Sequence, residues 1–270
     1  MITFNTPSRS IAVRCVLWAA LCAALPAAAH DIVLQPQSSG LSVRYGHPKD
    51  WQPLELRKLV ELQAFGGQAE PRDLQPALKA KGLLYELSSA ALGKEQGKAL
   101  LLAARYDNGL WARVRLPGSA KLVAVNTTRV MLPEAEFVSN NLKFAKALLP
   151  AANDDGLHMR RLGHLLELVP QRNPATLKPG EPLPVLVLFK GQPLAGAGVE
   201  VSNLVDAVPE DQIRRYTTDA QGIAQVVLRE KGIQMLGVDV ERPNDGSLGE
   251  AAQKVGADKF VLVATYTFVR

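Results

Sequence analysis

The sequence holds four histidines, and two of them sit close together in "LPAAAHDIVLQPQSSGLSVRYGHPKDW", at positions 30 and 47. Their spacing permits one specific geometry. If "IVLQP" and "LSVRYG" pair as antiparallel strands through the four-residue loop "QSSG", Pro36 faces Leu41. Counting outward, Leu34 faces Val43, Ile32 faces Tyr45 and His30 faces His47. Directly opposed residues share a face, with Cβ atoms about 5 Å apart. Two imidazoles at that spacing can grip one metal ion.

A third nitrogen is available if the chain is cut before His30. The first 29 residues read as a secretory signal, with Arg9 and Arg14 in a positive leading segment and the apolar run "CVLWAALCAAL". Pro26 breaks that run, and "AAA" supplies the small residues of a cleavage site. Cleavage after Ala29 frees the α-amino group of His30. Amine and Nδ1 of one histidine close a six-membered chelate ring, and the imidazole of His47 completes a T-shaped three-nitrogen set, a histidine brace. Planar nitrogen donors suit Cu(II) or Ni(II) better than Mg²⁺ or Ca²⁺. Asp31 falls on the opposite face in this register and is not counted as a ligand. The competing reading makes His30 merely the residue at the cut and His47 a turn residue before Pro48. A slip of one residue would place the two imidazoles on opposite faces.

His158 and His164 lie in "GLHMRRLGHLLELVP", near the middle of the chain. Either can join the site if that segment packs against the first half. His158 reads more simply as solvated. His164 is either a further metal ligand or a hydrogen-bonding residue at a strand start. Trp51, Tyr106 and Trp111 read as core or rim aromatics, and Tyr45 as a wall beside His47. The pairs Asp154/Asp155 and Glu134/Glu136 read as solvated loop charges. No Ser-His-Asp pattern, G-x-S-x-G motif or phosphate loop is present.

Composition narrows the function classes. Cys15 and Cys22 both precede the cut, so the mature chain of 241 residues has no thiol, disulfide or cysteine metal site. Leu21 stands where a lipidation signal needs a small residue before Cys22. The formal charge of +5 falls to +3 when Arg9 and Arg14 leave, and the remaining basic residues are scattered. That pattern excludes a nucleic-acid footprint. No later run is long and apolar enough to span a bilayer, so the mature chain is expected to be soluble, without direct membrane insertion.

The elements that must position these residues are short strands separated by turn signals. The first half offers "DIVLQP", "LSVRYG", "KLVELQAFG", "GLLYEL", "KALLLAARYD" and "LWARVRL", the last two joined by a turn at Asp107-Asn108-Gly109. "SNNLKFAKALL", residues 139–149, is predicted as a helix with Leu142, Ala145 and Leu149 near one face. The second half offers "LLELVPQ", "LPVLVLFKGQPL", "GAGVEVSNL", "RRYTTDAQGIAQVVL", "IQMLGVDVE" and "KFVLVATYTFVR". Asp219 and Gly222 suit the turn in "TDAQG". Phe260, Leu262, Ala264, Tyr266 and Phe268 share one face of the last strand. The expected fold is therefore mostly β, with two β-sandwich domains and one short helix between them. The expected division is signal 1–29, N-terminal domain with the metal site 30–150, linker 151–163 and C-terminal sandwich 164–270.

"AHDIVLQP", "YGHP", "NNLKFAKALLP", "GHLLELVPQRNPATLKPGEPLPVLVLFKGQPLAGAGVEV", "TTDAQGIAQVVL" and "ATYTFVR" together resemble a family of bacterial periplasmic proteins. These are grouped as a DUF family and labelled nickel-uptake substrate-specific proteins. The likeness covers nearly all of the mature chain. Its C-terminal part is also similar to transthyretin-like or carboxypeptidase-regulatory-like β-sandwiches. The resemblance implies a periplasmic role in metal uptake or handling, partnered by an outer-membrane receptor or a nickel/cobalt transporter. It maps onto His30 and His47 as ligands, and more loosely onto His164. Ile32 and Val33 stand where many such sequences carry an aromatic pair. Three function classes follow: a non-catalytic binder of nickel, copper or cobalt; a copper oxidase or oxygenase using the same brace; and a structural or adhesion module without metal. The first is the expectation.

Overall fold

A computed structural model describes residues 30–48, 50–66, 70–93, 98–149, 154–204, 212–228, 231–249 and 256–270. The expected signal and most of "PAANDD" lie outside them. In chain order the strands are β1 (Asp31–Gln37), β2 (Gly40–His47), β3 (Asp50–Gln52), β4 (Leu59–Phe65), β5 (Arg72–Asp73), β6 (Lys79–Lys81), β7 (Leu84–Ser88), β8 (Leu100–Arg115) and β9 (Leu122–Val125). They continue with β10 (Phe137–Leu149), β11 (Leu166–Pro170), β12 (Pro182–Phe189), β13 (Gln192–Pro193), β14 (Gly198–Asn203), β15 (Arg214–Thr217), β16 (Ile223–Val227), β17 (Ile233–Pro243) and β18 (Lys259–Val269). The mostly-β expectation holds.

The strands form three layers. The middle layer is a nine-stranded sheet ordered β15-β14-β17-β18-β10-β8-β4-β5, with β9 added to β8. It joins both halves of the chain, because β10 and β18 pair in parallel while their other neighbours are antiparallel. One face carries Leu62, Leu102, Ala104, Tyr106, Ala145 and Ala147, which pack with Ile32, Leu34 and Val43 of the small sheet built from β1, β2, β3, β6 and β7. The other face carries Leu101, Phe144, Leu148, Leu262, Tyr266 and Phe268. These pack with Leu168, Val185 and Val226 of the four-stranded sheet β11, β12, β13 and β16. The last strand thus presents the period-two face expected of it.

Residues 139–149 are strand, not helix, and this corrects the expectation of a helix between two sandwiches. Among the described residues the one α-helix is a four-residue turn, Ser89–Leu92, capped by Ser88. The cause is burial on both sides. Residues 143 to 149 of β10 are all buried, with alternate residues serving the two flanking layers. A strand covered on both faces loses its period-two signal, and its Lys, Ala and Leu are good helix formers. Tertiary pairing overrides that preference.

Asp107-Asn108-Gly109 is also not a hairpin turn. β8 runs through it unbroken, paired along β10 with a register shift: Asn141 opposes Gly109 and Leu142 opposes Asp107. Asn108 is the extra residue of a bulge. Gly109 takes φ +81°, and its N–H donates to Asp107 Oδ1 at 3.0 Å. The same residues that suit a tight turn suit a bulge with a left-handed glycine. The "TDAQG" turn forms as expected, with Asp219 Oδ1 accepting from Gln221 N and Ile223 N.

Candidate metal centre

β1 and β2 pair in the register that brings the two histidines together. Pro36 faces Leu41, Leu34 faces Val43 and Ile32 faces Tyr45. Gly40 locks that register. Its φ is +146°, and a Cβ there would lie 1.9 Å from Leu87 O on β7, so only glycine fits where the hairpin meets its neighbour. The last pair is Asp31 with Gly46, and the next step outward sets His30 beside His47. Their ring centroids are 5.4 Å apart with planes at 63°.

Aromatic rings wall one side of the pair. Tyr45 meets His30 edge-on at 5.5 Å and stacks on Tyr106 at 5.3 Å. Trp51 lies under the Arg44 guanidinium, and Trp111 donates its indole N–H to Asn108 O.

Two carboxylates approach the outer nitrogens. Gly46 takes φ +120°, which turns the end of β2 into β3 and returns Asp50 beside His47. Asp50 Oδ2 lies 3.6 Å from His30 Nε2, and Asp31 Oδ2 lies 3.6 Å from His47 Nδ1. Simple alternation put Asp31 on the far face, away from the histidines. Alternation fixes the Cα–Cβ direction, not the end of a rotatable carboxylate, and Asp31 is a neighbour of His47 after all. Asp50 escaped the sequence reading, although Gly46 and Pro48 around His47 signal a sharp return of the chain.

Both imidazole side chains are about one-third exposed, at 32% and 30%. Burial holds His30 below the ordinary imidazole range, His47 adds to this, and Asp50 opposes it. Burial pushes the Asp31 carboxyl up against the opposing pull of Lys143. A neutral imidazole is the ligand form, so a depressed His30 suits metal binding. Among the described residues no three His, Cys, Asp or Glu side chains gather into a metal-holding group. A three-ligand site on this pair therefore needs a donor that is not one of those side chains.

The other histidines lie elsewhere. His164 rests against Phe144, ring centroids 5.3 Å apart. Phe144 belongs to the face of the central sheet that packs on the four-stranded layer. Tyr106 belongs to the opposite face, so the sheet stands between His164 and the His30/His47 pair, and His164 is not brought to it. Burial depresses the His164 imidazole to about 4. His158, read as solvated, is instead buried, with Nδ1 2.5 Å from Asp154 Oδ2. Asp154 is buried with it, unlike the solvated loop charge expected, whereas Glu134 and Glu136 are exposed.

Residues 27–242 match the family described as "Domain of unknown function (DUF4198)". An "Uncharacterized protein" of Haemophilus influenzae is 32% identical over 199 residues, covering 73% of this chain and 74% of its own length.

Proposed function

For a chain that belongs to the DUF4198 family and pairs two imidazoles at the expected cut site, we propose a periplasmic role in binding nickel, copper or cobalt for uptake or handling. The observation that carries this reading is the 5.4 Å approach of the His30 and His47 rings. The charge around them supports it. Asp50 Oδ2 and Asp31 Oδ2 each lie 3.6 Å from His30 Nε2 and His47 Nδ1, which makes His30 Nδ1 and His47 Nε2 the proposed donors to the metal. Carboxylates behind ligating histidines fix the tautomer and raise ligand basicity. His30 Nδ1 is also the nitrogen that chelates together with its own amine.

The protein's part is capture rather than reaction. His30 and His47 hold the ion, and Asp31 and Asp50 orient the rings and neutralise its charge. An outer-membrane receptor or a transporter is the expected partner. Among the described residues no helix is long and apolar enough to cross a membrane.

Calorimetric titration of the protein beginning at His30 tests the reading, using Ni(II), Cu(II) and Co(II). An added N-terminal Gly-Ser removes the chelating amine, and His47→Ala removes the second imidazole. Each change is expected to weaken binding at least about tenfold, equivalent to about 1.4 kcal/mol. His164→Ala is expected to leave affinity unchanged. Equal binding by the parent, extended and His47→Ala proteins, or no binding by any, defeats the proposal. Oxygen consumption by the copper form would replace it with the oxidase reading.

A further inference from the structure

β2 has a break along one of its edges. β1 occupies one edge along residues 40–46. The other edge is shared: β7 pairs with residues 40–43 and β3 with residues 45–47. Arg44 falls between the two. The break opens a pocket of about 240 Å³ lined by Arg44, Tyr45, Trp51, Gln52, Leu83 and Leu84.

The polar groups of this lining are of two kinds. The Arg44 guanidinium lies 5.2 Å over the Trp51 ring, and its Nε donates to Ser42 Oγ at 3.2 Å. Neither Nη makes a hydrogen bond or ion pair among the described residues. The acid opposite Ser42 is Glu86, and Lys81 Nζ holds its carboxylate at 2.8 Å. Arg44 therefore brings a planar fork of donors to the pocket without a counter-ion, and such a fork matches a carboxylate. Gln52 donates its Nε2 to Asp50 Oδ1 at 2.6 Å. That bond leaves Gln52 Oε1 as an acceptor. Tyr45, Leu83 and Leu84 supply an apolar wall, and Leu83 is 50% exposed. A few placed polar groups in an apolar cleft are the ordinary makings of a ligand site, and this volume lies below that of drug-sized sites.

We propose that the break between β3 and β7 binds a small carboxylate carrying a hydroxyl or amino group. Its carboxylate pairs with the Nη groups of Arg44, its O–H or N–H donates to Gln52 Oε1, and its short hydrocarbon body lies against Tyr45, Leu83 and Leu84. The pocket adjoins the histidine pair. Tyr45 meets His30 edge-on at 5.5 Å, and Asp50 joins Gln52 to His30 Nε2. Hydroxy and amino carboxylates also chelate transition ions, so an occupied pocket would set such a chelator beside the histidines. That consequence rests on the function proposed above; the carboxylate site itself does not.

The test uses the metal-free protein beginning at His30. It holds two tryptophans, Trp51 and Trp111, so the indole N–H signals in proton–nitrogen spectra report the pocket directly. L-Lactate is expected to shift the Trp51 signal saturably and to leave that of Trp111 in place. Lactamide keeps the hydroxyl and the body but lacks the charge; propionate keeps the charge but lacks the hydroxyl. Each is expected to bind about tenfold more weakly. Arg44→Gln is expected to weaken lactate about tenfold or more, and Gln52→Leu to erase the preference for lactate over propionate. If Arg44→Gln does not keep the parent fold, Leu83→Glu sets a competing carboxylate at an exposed position of the wall and carries the same expectation. No shift at Trp51, equal binding of lactamide, or lactate affinity unchanged in the folded variants overturns the proposal. So does inorganic phosphate binding as tightly as lactate, which would make Arg44 only a general anion contact. If the parent binds no Ni(II), the metal reading falls, while the lactate titration still decides the pocket.

Discussion

Replacing His164 with Gln should remove a large part of the protein's acid sensitivity. His164 is 6% exposed and its ring rests tilted against Phe144. Its pKa is lowered to about 4, chiefly by burial, with Lys146 on β10 and Arg105 on β8 contributing and Glu167 on β11 opposing them. The unfolded chain has an ordinary imidazole at about 6.5. Between those values the unfolded state binds a proton that the folded state refuses, so stability rises with pH. The neutral-state advantage is complete above about pH 6.5 and is lost as pH falls toward about 4. Linkage gives a loss of about 2 kcal/mol by about pH 5 and about 3 kcal/mol by about pH 4. Urea unfolding of parent and His164→Gln at several pH values measures it. The variant loses some packing on Phe144 at every pH, so the quantity that matters is how the gap changes. The parent's advantage should shrink, or reverse, by about 2 kcal/mol between neutrality and about pH 5. A gap independent of pH would refute the assignment of acid sensitivity to this imidazole.

Two further substitutions test the supports of the fold and of the site. Lys146→Met removes the cation from Glu167, whose carboxylate is 1% exposed and also accepts from Leu162 N and Gly163 N. Leaving that charge alone should cost about 3–5 kcal/mol in denaturant unfolding, and a loss below about 1 kcal/mol would mean the pair is not buried as described. Gly46→Ala places a Cβ 2.5 Å from Asp50 O in a backbone conformation at φ +120°. It should push β3 away, destabilise by about 1–3 kcal/mol and lower the His30 pKa further, since Asp50 is lost as the partner that raises it; an unchanged or raised value measured by NMR would contradict that.

Some of this structure was readable from the chain because the signals were local. Pro36, the short "QSSG" loop and the alternation on either side fix one register for β1 and β2, and the opposition of His30 and His47 follows by counting. The "TDAQG" turn is likewise local, with Asp219 bonding its own near neighbours. What the sequence hid depends on distant partners. Nothing in "NNLKFAKALLP" reveals that β8 lies on one side of it and β18 on the other, so its helix-forming composition prevailed in the reading. Lys143 gave no signal at all, since a lysine among apolar residues reads as a solvated position until the covering layer is known. His164 was ambiguous for the same reason: only the central sheet, which no local pattern announces, shows which side it occupies.

That sheet also answers a difficulty in the metal reading. The first residues of a domain are commonly ill-ordered unless something ties them down, and a ligand set built on a frayed end would spend binding energy on ordering it. Here the restraint comes from the far end of the chain. Thr265 and Thr267 on β18 donate to the carbonyls of Ile32 and Leu34, across 233 residues of sequence. Both side chains are at most 2% exposed, and Ile32, Val33 and Leu34 are fully buried. β1 is therefore held on a rigid layer up to the residue beside His30, and β2 brings His47 back along the same layer. A donor pair fixed in this way needs little reorganisation to take up an ion. The amine released at His30 would emerge next to an imidazole that the fold has already positioned.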